Sequence, residues 1–202
     1  MDTQSLFREL LELIGSTRPE YVEALGKGYS RKEIEDLIDI RPIPEALIAI
    51  YSCVTGLAYD NYNSYDLVPA YDLISLDRIN EYIEMYREMR SDLIDEIGEE
   101  EYHEFGNWEP DMIPFLHDGC GYTVHVRTLP DDESVWVRPK VDDLHKINSS
   151  LDRFILTAIE CYRQAAYYQQ IDEDVPIWYT DEDLAQEIVR KIDPEIEDYS
   201  PP

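Results

Sequence analysis

Basic residues are scarce in this 202-residue chain. It has 17 Lys and Arg against 45 Asp and Glu, a formal charge of −28. So negative a field repels phosphate backbones and anionic bilayers, which argues against nucleic acid and a membrane surface as partners. It attracts basic proteins and speeds their approach, and it equally keeps a protein soluble with no partner involved. Cysteine is rarer still. Cys53, Cys120 and Cys161 are far apart, odd in number and without a CxxC pair, which excludes a disulfide framework and a zinc knuckle and fits a reducing cytosol. No apolar run approaches the roughly 20 residues of a membrane span. The first segment, "MDTQSLFRELLELIG", is an acidic amphipathic helix rather than a basic leader, so no signal peptide is expected and a cytoplasmic location is.

What the chain does have is core material. Hydrophobic residues make up 44% and aromatics 11%, with 16 tyrosines, so a packed globule with many half-wet aromatic positions is expected. Apolar groups at helical spacing (Leu6, Phe7, Leu10, Leu11, Ile14) predict a first helix over 3–14. "SRKE" at 30–33 is a capping box that opens a short helix. "IPEALIAIYSCVTG" carries a helix between Pro44 and Gly56. A loop follows, with a short strand near Asp66–Val68. From Leu76 to beyond Met89 the longest helix is predicted, with Ile79, Tyr82, Ile83, Tyr86 and Met89 inward. Residues 91–104 hold seven acids and no Lys or Arg, the composition of a solvated helix end or loop. "YTVHVRT" and "SVWVRP" alternate as a hairpin. Val124, Val126, Val135 and Val137 point to the core, and Thr123, His125, Arg127 and Trp136 to the opposite face. Further helices are expected from Leu151 and over 180–192. Helices, then strands, then helices, with no βαβ alternation, give an α+β fold with a mainly antiparallel sheet wrapped by helices.

"FLHDGCGYTVHV", residues 115–126, is where chemistry would concentrate. A closed metal site built on His117, Cys120 and His125 lacks a fourth ligand, since His103 and His145 show no coherent spacing, so no metal is expected. "DNYNSYD" resembles a calcium loop but lacks its central glycine and closing Glu. Cys120 as a nucleophile needs a base and a positive setting, the opposite of this chain's field. "DGCG" precedes a strand, whereas phosphate loops precede a helix. Acids are so many that no pair stands out as acid and base. The stretch therefore reads as architecture: Asp118–Gly119 turns, Gly121 bends the backbone into a strand, and Ile113–Phe115 form a strand paired with 122–128. No catalytic residue, metal or cofactor is expected.

The segment "MIPFLHDGCGYTVHV" resembles the W-x-P-F-x-x-D-G-x-G signature of the SUKH superfamily, which includes the fungal cell-wall regulators of the Smi/Knr type; Pro114, Phe115, Asp118, Gly119 and Gly121 carry the match. Three other landmarks follow the family's order. "IPEALIAIYSCVTGL" is similar to its first helix, with Thr55-Gly56 where Asn-Gly is usual. "LVPAYDLISLDRINEYIEMYREM" is similar to its strand and following helix, and "SSLDRFILTAIECYRQAAY" to its closing helix. The resemblance covers about residues 40–168 of one 1–202 domain, leaving 1–38 as an N-terminal helical addition and 172–202, with 2 basic and 11 acidic residues, as an acidic C-terminal helical extension. It implies an antiparallel sheet wrapped by helices and a non-enzymatic, protein-binding role, either as an immunity protein neutralising a basic, nuclease-type toxin or as a regulatory scaffold for several partners, as in cell-wall synthesis. Candidate partner contacts are Glu99, Glu100 and Glu101, the polar hairpin residues His125, Arg127 and Trp136, and the acids Asp172, Glu173 and Asp174. Each of these is read equally well as solvated surface.

Overall fold

The computed structural model describes residues 2–57, 66–104, 108–137, 144–172, 175–197 and 199. Helix α1 (Thr3–Gly15) starts where the Asp2 carboxylate accepts from the Ser5 amide at 3.0 Å, and it buries Leu6, Phe7, Leu10 and Ile14. Helix α2 (Pro19–Ala24) follows, then α3 (Arg31–Leu37), opened by the expected Ser30/Glu33 capping box. Helix α4 (Glu45–Tyr51) buries five of its seven residues. Just beyond it, Gly56 adopts φ +88°, and a Cβ there would lie 2.5 Å from the Ile74 carbonyl. Only glycine admits this approach.

A five-stranded antiparallel sheet runs in sequence order: β1 (Asp72–Leu73), β2 (Met112–His117), β3 (Thr123–Arg127), β4 (Val135–Val137) and β5 (His145–Asn148). Directly paired residues share a face. Leu73, Leu116, Val124 and Val137 align across four strands, and Ile113, Val126 and Val135 across three, all of them buried. Burying each such side chain contributes about 1.5–3 kcal/mol. Pro114 sits where the β2–β3 register shifts, a place in a sheet that tolerates a residue without an amide hydrogen.

Between β1 and β2 a 3-10 turn (Leu76–Arg78) leads into α5 (Ile79–Ile97) and α6 (Glu99–Glu104). Helix α7 (Leu151–Arg163) meets the sheet where Phe154 packs edge-on against Phe115 at 5.7 Å, and it packs in turn against α1 and α8 (Glu182–Ile192). The Asp193 carboxylate anchors the end of α8 to the Ser149 amide (2.6 Å) and hydroxyl (2.8 Å). Buried side chains from Leu6 to Tyr199 form one contiguous cluster.

Three expectations need correction. The strand placed near Asp66–Val68 lies at Asp72–Leu73 instead. The Asp66 carboxylate accepts from the Ala70 amide at 3.0 Å, and Val68 bridges Tyr71, so 66–71 is spent on a tight turn with Ala70 at φ +69°. The stretch from 172 is not purely helical: β6 (Tyr167–Asp172) and β7 (Val175–Thr180) form a separate two-stranded antiparallel sheet before α8. Its aromatics lie on both faces, which hid the period-2 signal. Met89 does not face inward and is 41% exposed.

Candidate protein-docking surface

Strand β2 delivers Pro114 and Phe115 into the interior, with Phe115 only 1% exposed. The chain then reverses. One Asp118 carboxylate oxygen accepts from the Cys120 amide at 2.7 Å and the Tyr122 amide at 2.9 Å, and the Asp118 amide donates to the Tyr122 carbonyl at 3.0 Å. This is an Asx-type turn. Gly119 (φ +74°) and Gly121 (φ +107°) occupy conformations that side chains other than glycine resist, and a Cβ on Gly121 would meet nothing within 4 Å. Gly121 is thus required by backbone shape rather than by crowding. Cys120 stands exposed at the tip.

The two histidines of this stretch lie under α5. The Gly119 amide donates to His117 Nδ1 at 3.2 Å, and the His117 ring sits 5.9 Å from that of Tyr82. Burial, and then the nearby Arg78, holds the His117 imidazole below its usual range. His125 is fully buried, which removes it from the exposed contact residues. Its Nε2 lies 2.7 Å from the Thr123 hydroxyl, which lies 2.6 Å from that of Tyr86, and the Tyr86 ring abuts the imidazole at 5.0 Å. The physical reason is α5. Ile79, Ile83 and Tyr86 press its first half onto this side of the sheet and close the polar face over β2 and β3. Among the described residues, no three His, Cys, Asp or Glu side chains converge as metal ligands would.

Toward β4 and β5 the same face is open. Arg127 lies 3.3 Å from Asp111 and 3.6 Å from Asp132, and its guanidinium stands 5.3 Å above the Trp136 ring. Trp136 Nε1 donates to the Ser134 hydroxyl at 2.7 Å. Both side chains are half-buried and internally partnered, so they form a rigid platform rather than a free charge.

The third region is the outer flank of α5. Tyr82 and Met85 are half-buried and Met89 is exposed. At 100° per residue, Met85 and Met89 lie roughly 100° around the helix from the Ile79–Ile83–Tyr86 line. Beside them run the exposed acids Glu81, Glu84, Glu88 and Asp92. Facing Tyr82 and Met85 across a shallow cleft of about 210 Å³ are Gly119 and Gly121 of the turn, and the cleft is also lined by Arg78, which pairs with Glu81 at 2.9 Å and stands 5.5 Å from the Tyr82 ring. Helical periodicity alone places Met89 in the core stripe and hides this flank; the angular offset is the signal that separates the two. Glu99, Glu100 and Glu101 occupy the first turn of α6, all exposed. Arg90 approaches Glu99 at 3.8 Å and Glu109 at 3.9 Å while its guanidinium stands 5.2 Å from the Tyr102 ring, so α6 is tied back to α5.

The remaining candidates lie elsewhere. Asp172 ends β6, and Glu173 and Asp174 fall outside the described residues. The base of this β6–β7 hairpin is held by a buried cation. Arg18, 5% exposed, donates to the Asp66 carbonyl and the Tyr162 hydroxyl, each at 2.8 Å. Its guanidinium stands 4.3 Å from the Trp178 ring and 5.3 Å from that of Tyr21. Close by, burial and then the neighbouring Asp66 push the Asp72 carboxyl up to about 8, and burial raises Asp66 as well.

Compared with known proteins, the chain matches the family model described as SMI1 / KNR4 family (SUKH-1) over residues 32–157, well over half its length. No curated protein matches it. The matched span runs from α3 into α7 and takes in the whole five-stranded sheet and the glycine turn.

Proposed function

The chain belongs to the SMI1 / KNR4 family (SUKH-1), and from that membership we propose that it is a non-enzymatic protein-binding module that neutralises a basic, nuclease-type toxin in the cytoplasm. Family membership alone allows immunity proteins and cell-wall regulators alike. The observation that favours the toxin reading is the exposed acidic surface of α5 and α6 on a protein of charge −28. A nuclease grips phosphates with a cationic patch. An acidic surface competes for that same patch and captures it rapidly at low ionic strength. The polar groups of the glycine-turn stretch support a binding role over a chemical one. His117, Thr123 and His125 are engaged in structural contacts beneath α5, and Asp118 is committed to the turn. No helix among the described residues is long and apolar enough to cross a membrane.

The test is stoichiometric inhibition. The product of a neighbouring gene, if it is a basic nuclease, is purified and assayed with and without this protein at low and high salt. Inhibition at a one-to-one ratio that weakens as salt rises supports the proposal. A neighbourhood with no toxin gene, together with capture of several unrelated wall-synthesis proteins, supports the scaffold reading instead.

A further inference from the structure

Helix α5 is 19 residues long, yet the side chains it fully buries, Ile79, Ile83 and Tyr86, all lie in its first half. From Arg87 onward its residues are exposed or half-buried. On its flank, Tyr82, Met85 and Met89 follow one another at spacings of three and four, the rhythm of a helix edge. One side of that edge is lined by the exposed acids Glu88 and Asp92, while Glu81 is paired with Arg78 at 2.9 Å. The other faces the D-G-C-G turn, whose Gly119 and Gly121 present backbone in place of side chains.

We propose that this cleft, between the methionine flank of α5 and the glycine turn, is the docking site for a cationic amphipathic helix of the partner protein. The inference rests on the protein-binding reading above and names the surface. Three features select this occupant. The cleft of about 210 Å³ is smaller than the 300–1,000 Å³ usual for small-molecule sites, so it takes an anchoring side chain rather than a free ligand. Methionine flanks adapt to the irregular apolar edge of a helix, and helix-in-groove recognition reads anchors at spacings of three and four. The acids along the rim require Lys or Arg flanking those anchors, whereas an anionic membrane surface, the other target of such helices, is repelled. The glycines of the turn have a binding role in this arrangement: side chains at 119 and 121 would narrow the cleft as well as strain the turn.

The experiment uses the full chain and a fluorescently labelled synthetic peptide of alternating Leu and Lys blocks designed as an amphipathic helix. A peptide of identical composition in scrambled, non-amphipathic order serves as control. Fluorescence polarisation reads affinity, and the alkylation rate of the exposed Cys120 reads occupancy of the cleft. The expected result is that the amphipathic peptide binds about ten-fold more tightly than its scramble and slows Cys120 alkylation. The M85K/M89K variant then loses about ten-fold or more in affinity, and M89K alone, at an exposed position, loses affinity in the same direction at an unchanged thermal midpoint. The charge-reversed E88K/D92K, which leaves every apolar contact in place, shows the same direction of loss. Equal binding of the two peptides, or binding unaffected by both variants, overturns the site while leaving a basic partner standing. Failure of both peptides to bind even at low salt overturns the site and the basic-partner reading together.

Discussion

Charge is handled in opposite ways in two regions of this molecule. Around Arg18 it is buried: the cation is enclosed by Trp178, Tyr162 and Tyr21, and the nearby carboxyls Asp66 and Asp72 are pushed toward their neutral forms. Along α5 and α6 it is displayed, with Glu81, Glu84, Glu88, Asp92 and Glu99 to Glu101 all exposed and, among the described residues, Arg78, Arg87, Arg90 and His103 nearby as counter-charges. Buried charge must be compensated on the spot because no water is there to solvate it. Exposed charge is solvated at little cost, and its effect is felt by molecules that approach. The first region fixes where a hairpin sits, and the second is available for an encounter. This contrast makes the two regions separable by mutation.

The largest expected effect is in the buried region. Arg18→Leu removes two hydrogen bonds and a cation among three rings, and should lower unfolding free energy in urea by about 3 kcal/mol. A loss as small as that of a surface variant would show that the cluster is not a structural anchor. A middle-sized effect concerns Asp72 and depends on pH. Its folded pKa of about 8 lies above the value near 4 of an unfolded carboxylate, so between those limits the folded state holds the extra proton. Its contribution is therefore fully present below about pH 4 and is lost as pH climbs to about 8. Asp72→Asn should remove that part of the decline, so that wild type and variant diverge with rising pH in thermal melts, the variant being the more stable at pH 8. Parallel curves would place Asp72 in water. The smallest effect belongs to the displayed region. Glu99, Glu100 and Glu101 changed together to Gln should leave stability within about 0.5 kcal/mol, while flattening the salt dependence of association with a basic protein. A cooperative loss of structure would show that the α6 acids are architectural after all.

Most of the architecture was legible because it follows from local pattern. The capping box at Ser30 and Glu33, the valine alternation of β3 and β4, and the turn at Asp118–Gly119 all act over a few residues. What escaped depends on what lies opposite. The polar face of the hairpin reads the same whether open or roofed, and only the placement of α5 covers Thr123 and His125 while leaving Trp136 half in water. The β6–β7 hairpin was invisible for the converse reason. Tyr167 and Trp178 turn inward toward Tyr162 while Tyr168 and Tyr179 stack 5.9 Å apart on the other face, so neither face reads as polar. Of the candidate contacts, the α6 acids are legible from composition, whereas the methionine flank shows only in the angular offset of Met85 and Met89 from the buried stripe of α5.

The pairing of α1 with α7 has a consequence for biosynthesis. The hydroxyl of Thr3 donates to the carboxylate of Asp152, 149 positions further along the chain. Although α2 and α4 also pack on it, the greasy side of the first helix therefore leaves the ribosome long before its α7 partner exists. At ordinary elongation rates of about 5–20 residues per second, that delay is roughly 7–30 s. During it, Leu6, Phe7, Leu10 and Ile14 are a sticky segment on a nascent chain, a natural target for ribosome-associated chaperones and the place where a stalled translation product would first begin to clump.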